Sequence, residues 1–219
     1  MQSVVILAAL DISAAFDTLD HTTLINRLEH TLGIVGVALQ WINSYVSERS
    51  QFVAIEESKS NITRCEFGVP QCSVLGPTLF TLYNAAVANV ISSFGVSHQQ
   101  YADDSQLYIV ANRVNIQMKL DLLQDCTAAV NDWFPLKGIS LNLDKSEVLL
   151  LGTAAKLRTI GAVGQMSVAG ASINMTDSIK NLGVFLDYGL TFNKPVGKVC
   201  QSSYFHIMAL RQIRGSLSP

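Results

Sequence analysis

The sequence predicts an α+β fold in which an antiparallel sheet packs against helices. Of its 219 residues, 49% are hydrophobic and 15% are charged, which is enough apolar material to bury a sizeable core in one or two domains. Strand-like and helix-like segments mix irregularly along the chain, and two or three strand pairs have the spacing of hairpins. This order argues against the regular alternation of strands and helices in a doubly wound parallel sheet.

The first half of the chain is predicted to contain one strand, a hairpin and three helices. Asp20 stands where its side chain can cap the free N–H groups of a helix. Two β-rich runs, QFVAI and ITRCEF, flank the polar stretch EESKSN and predict the hairpin. The other predicted elements are a strand at about 3–11, a helix from about Asp20, a helix at about 36–48 and an apolar helix at about 78–93.

The second half of the chain is predicted to hold most of the strands. A hairpin with arms HQQY and SQLYIV is expected to turn within residues 101–104. The remaining predicted elements are a helix at about 114–134, strands at about 146–152, 165–174 and 179–186, and a helix at about 192–212.

Composition argues against several classes of protein. The four cysteines occur singly, without the paired spacing of a zinc site or the density of a disulfide framework. The longest apolar run, residues 4–10, is too short to cross a bilayer, and no charged segment precedes it as in a signal peptide. We therefore expect an intracellular protein, nuclear or cytoplasmic, with no membrane partner.

Charge is distributed unevenly along the chain. The net charge of −2 argues against a general nucleic-acid binder, because such domains are usually basic. Residues 1–136 carry 6 Lys/Arg and 13 Asp/Glu, whereas residues 137–219 carry 9 and 4. An anion-binding surface is therefore expected in the second part, although two ordinary solvated faces explain the same distribution.

Three aspartates form a candidate metal site. Asp103 and Asp104 are adjacent at the turn of a hairpin, where a divalent cation would relieve their repulsion, although aspartate also favours turns for its own hydrogen bonds. Asp11 ends an otherwise apolar strand, where a helix N-cap is the alternative explanation. If that strand pairs with the hairpin, the three carboxylates converge on a hard oxygen site suited to Mg²⁺.

Five segments then follow one another in a recognisable order: LDISAAFDTLDH, GVPQCSVLGPTLF, YADD, LNLDKSE and NLGVFLDYGLTFNK. Over nearly its whole length the chain resembles the reverse transcriptases of non-LTR (LINE-type) retrotransposons. The resemblance implies a polymerase-type palm over residues 1–190, with a partial fingers insert at about 21–67, and the start of a thumb over residues 191–219. It also implies RNA-directed DNA synthesis from deoxynucleoside triphosphates, with an RNA template, a DNA primer and two Mg²⁺ or Mn²⁺ ions.

The resemblance assigns roles to the aromatic and acidic residues. Asp11 would be the first metal-binding aspartate, and Asp103 with Asp104 would be the catalytic pair. Tyr101 would support this pair against the primer strand. Phe16 would lie under the sugar of the incoming nucleotide, where its ring would clash with a 2′-hydroxyl, although a core aromatic is the alternative.

Polar residues later in the motifs also match the family pattern. Gln71 would contact template and nucleotide, and the next position, a glycine in the family, is Cys72, whose β-carbon restricts both φ and the approach of a ligand. Lys145 would lie close to the triphosphate with Asn142 beside it, although a solvated lysine in a turn is equally compatible. Phosphate contacts along the thumb would come from Lys194, Lys198, Arg211 and Arg214.

Two functions remain open after these observations. The chain is either a reverse transcriptase or a truncated, catalytically inactive remnant that binds at most nucleic acid or a partner. The resemblance starts at the first catalytic strand, without the fingers segments that contact the triphosphate, so we expect no primer extension by the isolated chain. A metal-dependent nuclease is disfavoured because the histidines lie apart from the motifs, at His21, His30, His98 and His206.

Overall fold

The computed structural model describes residues 3–161 and 163–214, leaving out the side chains of residues 193–195 and 198. Within these ranges, no helix combines the length and apolar character needed to cross a membrane. The helices are α1 (His21–His30), α2 (Gly36–Val46), α3 (Gly76–Asn84), α4 (Val87–Ser93), α5 (Ile116–Trp133), α6 (Ala154–Ile160) and α7 (Asn193–Ile213).

The strands are mostly short, apart from three long ones at the centre. They are β1 (Val4–Ser13), β2 (Arg49–Gln51), β3 (Ala54–Ile55), β4 (Ser58–Lys59), β5 (Thr63–Cys65), β6 (Ser97–Tyr101), β7 (Asp104–Ala111), β8 (Ser140–Leu151), β9 (Gln165–Val168), β10 (Ala171–Thr176), β11 (Ser178–Asn181) and β12 (Val184–Asp187).

A central sheet organises the fold, with the strand order β6-β7-β1-β8-β10-β9 in the described part. Neighbouring strands are antiparallel, except that β8 and β10 run parallel. Alternate side chains of a strand point to opposite faces, so the even-numbered residues of β1 from Val4 to Ile12 enter the main core. That core includes α1, α3, α4 and α5 on one face of the sheet. The predicted α+β architecture is confirmed.

The opposite face of the sheet carries a smaller apolar cluster. Leu7 of β1 and Leu149 of β8 pack there with Ile179 of β11, and all three are buried. Odd-numbered residues of β1 therefore lie on the face that carries this smaller cluster. Asp11 belongs to this second face.

Asp20 caps α1 as the sequence predicts. Its Oδ1 accepts a hydrogen bond of 2.6 Å from the N–H of Thr23, which is one of the amides that the helix itself cannot satisfy. The predicted hairpin at 51–67 is also present, as two short ladders that pair β2 with β5 and β3 with β4.

The single helix predicted at about 78–93 is wrong in detail, because the segment forms α3 and α4. The N–H groups of Ala88 and Asn89 bond to the carbonyls of Ala85 and Ala86, three residues earlier, at 3.2 and 3.1 Å. Such bonds tighten the backbone at a helix boundary. The spacing of apolar residues does not indicate which carbonyl accepts the hydrogen bond of a given amide. The sequence therefore does not predict the break between α3 and α4.

Three strand predictions also need correction. The strand expected at 165–174 is the hairpin of β9 and β10, which turns at Ala169 and Gly170 with φ of +50° and +86°. The strand expected at 179–186 is the hairpin of β11 and β12, with φ of +45° and +84° at Leu182 and Gly183. Two-residue hairpin turns of this kind require positive φ at both positions. The strand expected at 146–152 begins earlier, at Ser140, and α6 was not predicted.

The junction between β12 and α7 is organised by Asp187, which is buried. Its carboxylate accepts hydrogen bonds from the Thr191 N–H at 2.9 Å, the Thr191 hydroxyl at 2.8 Å and the Gly189 N–H at 3.0 Å. These hydrogen bonds, above all that from the Thr191 amide, lower the pKa of Asp187. The turn that leads into α7 is therefore built around one carboxylate.

Candidate active site

Asp11 lies on β1 between the two strands that carry the other candidate residues. Leu10 pairs with Ser105 of β7, so Asp11 and Asp104 are the next residues along two neighbouring strands. On the other side, Asp11 pairs with Asn142 of β8. Because Leu10 is buried in the main core, the half-buried Asp11 points to the opposite face.

The hairpin of β6 and β7 carries the other two aspartates. Tyr101 pairs with Asp104, and the two residues between them, Ala102 and Asp103, make the turn. Ala102 has a φ of +54°, which a two-residue hairpin turn demands at its first central position and which glycine usually supplies. Tyr101 is 62% exposed. The hairpin predicted from the alternating pattern is thus present.

The charges of two neighbouring carboxylates act on Asp104. Partial burial raises the pKa of Asp104, and the negative charges of Asp103 and Asp11 raise it further. All three groups therefore lie in one neighbourhood at the end of the β1–β7 pair. In the described residues, however, no three His, Cys, Asp or Glu side chains stand close enough together to hold one metal ion.

The chemistry of these donors fits a hard divalent cation, because carboxylate oxygens are the ligands that Mg²⁺ prefers. The mutual repulsion at Asp104 is the kind of unfavourable interaction that a bound cation relieves. Ligation by Asp11, Asp103 and Asp104 together requires the side chains to draw closer than in this arrangement.

The β8 strand makes a wide bulge directly beside Asp11. Ala9 pairs with Glu147 and Asp11 pairs with Asn142, so the single residue Leu10 faces residues 143–146 of β8. The bulge places Lys145 on the surface, where it is exposed. Of the two predicted triphosphate-side residues, Asn142 therefore pairs with Asp11, and Lys145 lies in the adjoining bulge. Bulges commonly redirect side chains near active sites.

A second cluster links the segment after β1 to the loop before α3. The Gly68 N–H donates to the Leu19 carbonyl and the Val69 N–H donates to the Phe16 carbonyl, each at 2.7 Å. Gly68 has a φ of +81°, and a β-carbon there would lie 2.7 Å from the Phe16 carbonyl oxygen and 2.9 Å from Cα of Asp17. Only glycine allows these two backbones to approach so closely.

Gln71 contacts a residue that sequence reasoning missed. Its side-chain amide Nε2 donates to Asp17 Oδ1 at 3.2 Å and to Oδ2 at 3.0 Å, and both residues are exposed. Asp17 directly follows Phe16 in the first motif, but its partner is 54 residues away, so the pattern held no sign of the pairing. Asp17 of the first motif therefore holds the side chain of Gln71, the candidate contact to template and nucleotide.

Phe16 is half-buried and packs at the edge of the main core. Its ring lies 5.7 Å from that of Phe80, centroid to centroid, with the planes tilted by 56°. A β-carbon on Gly76 would lie 3.8 Å from Phe16 Cδ1. Part of the Phe16 side chain therefore packs as a core aromatic, which was the alternative explanation. The exposed part remains available to a ligand.

Cys72 adopts a backbone conformation that suits the family glycine better than a cysteine. Its φ is +59°, in the left-handed region, where a β-carbon is unfavourable. The side chain is exposed. The substitution therefore introduces backbone strain directly next to Gln71.

The candidate phosphate contacts all fall on α7 or at its end. Arg211 and Arg214 are exposed, the latter at the C-terminal cap of the helix. Lys194 and Lys198 belong to α7, and their side chains lie outside the described set. The helix packs against β12 and exposes most of its length.

Residues 1–186 match the family model for reverse transcriptase (RNA-dependent DNA polymerase). The chain is 30% identical, over 192 residues, to the RNA-directed DNA polymerase from mobile element jockey of Drosophila funebris, a match that covers 85% of this chain and 20% of that protein. It is 31% identical, over 190 residues, to a probable RNA-directed DNA polymerase from transposon X-element of Drosophila melanogaster, again covering 85% and 20%. The chain thus spans about a fifth of the length of these relatives.

Solved structures show the same fold at low sequence identity. Apo telomerase from Candida tropicalis, truncated from its C-terminal domain, aligns with a TM-score of 0.53 and 16% identity over 78% of this chain and 34% of that chain. Telomerase from Candida albicans aligns with a TM-score of 0.50 and 15% identity over 79% of this chain and 30% of that chain. The palm-like α+β fold is confirmed by this likeness. With the family model matched over residues 1–186, the chain belongs to the reverse transcriptases, and its relatives place it among those of LINE-type retrotransposons.

Proposed function

We propose that this chain is the polymerising core of a retrotransposon reverse transcriptase, which adds deoxynucleotides to a DNA primer on an RNA template. One observation carries the proposal: the β1–β7 register puts Asp11 beside Asp104, and Asp103 lies in the adjoining turn. Three carboxylates at one end of a strand pair have little structural reason to be there, because the charges of Asp11 and Asp103 raise the cost of ionising Asp104.

Asp11, Asp103 and Asp104 are the catalytic and metal-binding residues in this proposal. Two Mg²⁺ or Mn²⁺ ions, when bound, stabilise the attacking and leaving oxygens of an in-line phosphoryl displacement. The three carboxylates would hold these cations from β1 and from the β6–β7 hairpin. Tyr101, exposed on β6 next to the pair, supports it against the primer.

The surroundings of the carboxylates supply nucleotide and template contacts. Phe16 lies under the sugar of the incoming nucleotide, and Gln71 contacts nucleotide and template through its amide. Lys145, exposed on the bulge of β8, lies on the triphosphate side with Asn142 at its base. Asn142 and Lys145 belong to β8, the strand that pairs with β1 at Asp11.

The division of the chain follows from the same assignment. Residues 1–190 form the palm, with a partial fingers insert at about 21–67, and residues 191–219 begin the thumb. The net charge of residues 137–219 is positive, which suits contacts with a phosphate backbone. These contacts come from the basic residues of the thumb segment, Lys194, Lys198, Arg211 and Arg214.

A second candidate function is a remnant that no longer polymerises. The observation that favours it is Cys72, whose β-carbon and φ of +59° occupy the position of the family glycine beside Gln71. Small displacements at a polymerisation site cost orders of magnitude in rate. A remnant of this kind retains the fold and the three carboxylates but no longer adds nucleotides to a primer.

Primer extension on an RNA template with Mn²⁺ separates the two candidates. The chain is assayed alone and as a fusion behind the segment that precedes the matched region in the jockey relative. The proposal predicts extension by the fusion, because each charge-assisted contact to the triphosphate is worth about 1.5–3 kcal/mol, or tenfold or more in rate.

The control is the same fusion with Asp103→Asn, which should lose extension by several orders of magnitude. Equal extension by the Asp103→Asn fusion would contradict the proposed catalytic role. A folded fusion that stays inactive, with or without Cys72→Gly, would instead establish the remnant.

A further inference from the structure

Ser146 is a buried hydroxyl residue at the bulge of β8 and is 5% exposed. Its Oγ accepts a hydrogen bond of 3.3 Å from the backbone N–H of Asp11, 135 residues away in sequence. The same hydroxyl donates to the Asn142 carbonyl at 2.9 Å. One side chain therefore joins the strand that carries Asp11 to both ends of the bulge.

The position of this hydroxyl matters because the sheet ladder is interrupted there. Residues 143–146 of β8 have only Leu10 opposite them, so regular backbone pairing cannot set the spacing between β1 and this part of β8. The contact with Ser146 supplies a hydrogen bond across the interruption. Its bond to Asn142 closes the bulge into a loop with Lys145 at its exposed tip.

We propose that Ser146 is a positioning residue of the candidate active site: its hydroxyl fixes the backbone of Asp11 and the loop that presents Lys145. This role rests on the proposed function of Asp11. Groups that orient a metal ligand without touching the metal typically contribute 10- to 100-fold to metal affinity. Ser146 holds the ligand's main chain, so its loss should let the Asp11 carboxylate move relative to Asp104.

The test measures Mn²⁺ affinity by titration of the paramagnetic resonance of free Mn²⁺, together with the melting temperature. Ser146→Ala removes the hydroxyl and should weaken Mn²⁺ binding by about tenfold. Ser146→Thr keeps the hydroxyl on a residue that suits a strand, and should restore the affinity of the parent chain.

Thr127→Val is the matched control. Thr127 is also a buried hydroxyl that donates to a backbone carbonyl, of Gln124 at 2.8 Å, and accepts from a backbone N–H, of Ala169 at 3.4 Å. It lies on α5, away from the carboxylates. Both Thr127→Val and Ser146→Ala should lower the melting temperature by about 2–4 °C, but only Ser146→Ala should weaken Mn²⁺ binding.

Each other outcome has a defined meaning. Parent-like Mn²⁺ affinity in Ser146→Ala, with binding lost in Asp104→Asn, would overturn the role of Ser146 and leave the proposed function standing. Equal losses in Ser146→Ala and Ser146→Thr, or in Thr127→Val, would show that the hydroxyl does not position the site. Absence of binding in the parent chain, or binding that Asp104→Asn leaves unchanged, would overturn the proposed function and the role of Ser146 together.

Discussion

The side-chain amide of Gln71 donates to both carboxylate oxygens of Asp17, at 3.2 and 3.0 Å. Because only the NH₂ group of a glutamine can donate, this contact sets the orientation of the amide and leaves Oε1 as the acceptor for other groups. The backbone bonds of Gly68 and Val69 to the segment after β1 hold the two residues together. Gln71 is thus oriented before any ligand arrives.

Removing the carboxylate of Asp17 should weaken nucleotide binding through Gln71. An exposed charge-assisted hydrogen bond contributes modestly, so Asp17→Ala should raise the Kd for a deoxynucleoside triphosphate with Mn²⁺ by about threefold to tenfold. Asp17→Asn retains an acceptor oxygen and should have a smaller effect. The Kd is measured by calorimetry on the fusion described above.

A double-mutant cycle decides whether the two residues act together. If Asp17 acts through Gln71, the effects of Asp17→Ala and Gln71→Ala should be less than additive in the double variant. Full additivity would mean that Asp17 affects nucleotide binding independently of Gln71.

The three carboxylates should make stability depend on pH. An acid whose pKa is raised in the folded state contributes stability that is fully present below its unfolded pKa, about 3.8 for Asp104, and is lost as pH rises through the raised pKa. Asp104→Asn should remove this loss of stability with rising pH. At about pH 7 without metal, its free energy of unfolding should therefore exceed that of the parent chain. Urea unfolding across this pH range measures the difference.

The control for Asp104→Asn is Asp132→Asn, which removes an exposed carboxylate of α5. Its free energy of unfolding should fall with rising pH as that of the parent chain does. If Asp104→Asn declines as steeply as the parent, then Asp104 does not carry the repulsion assigned to it.

Gly68→Ala should be strongly destabilising. Its β-carbon would lie 2.7 Å from the Phe16 carbonyl oxygen, a backbone atom that cannot turn aside, and φ is +81°. We expect a loss of about 1–3 kcal/mol in the free energy of unfolding from overpacking, in addition to the cost of the positive φ. Gly95→Ala isolates that second cost, because Gly95 has φ +65° and open space around its β-carbon position. Equal losses in the two variants would mean that the close approach to Phe16 is unimportant.

Cys72→Gly should relieve backbone strain at little net cost. A φ of +59° costs a residue with a β-carbon about 1–2 kcal/mol, whereas glycine adds about 0.4–1 kcal/mol of unfolded-state entropy. The free energy of unfolding should therefore stay the same or rise by up to about 1.5 kcal/mol. Cys72→Ala keeps the β-carbon and should show no such gain; a fall in stability in Cys72→Gly alone would contradict the strain.

Local features of the sequence predicted local structure well. Asp20 was expected to cap α1, and it does, because capping joins residues three apart and depends on nothing distant. The continuous apolar run at residues 4–10 likewise predicted a buried strand. The sequence instead predicts single strands where the hairpins at Gly170 and Gly183 form, since β-rich residues continue on both sides of each glycine.

Predictions that depended on distant pairing were less complete. The stretch LNLDKSE has the polar composition of a turn, yet it belongs to β8, because pairing with β1 extends the strand around a bulge. The contacts Ser146–Asp11 and Asp17–Gln71 join residues 135 and 54 positions apart, and neither had a signal in residue type or spacing.

By itself, the sequence determined the chemistry of the candidate site: two adjacent aspartates at a hairpin, a third in an apolar strand, and the order of the motifs around them. Tertiary structure decided the register that brings Asp11 beside Asp104, the face on which they lie, and the partners that orient Asp11 and Gln71. The physical reason is that a one-residue shift between strands moves every side chain to the other face. The register is therefore selected by burial of the whole sheet, through Leu10 and its neighbours in the core, and not by the residues of the site.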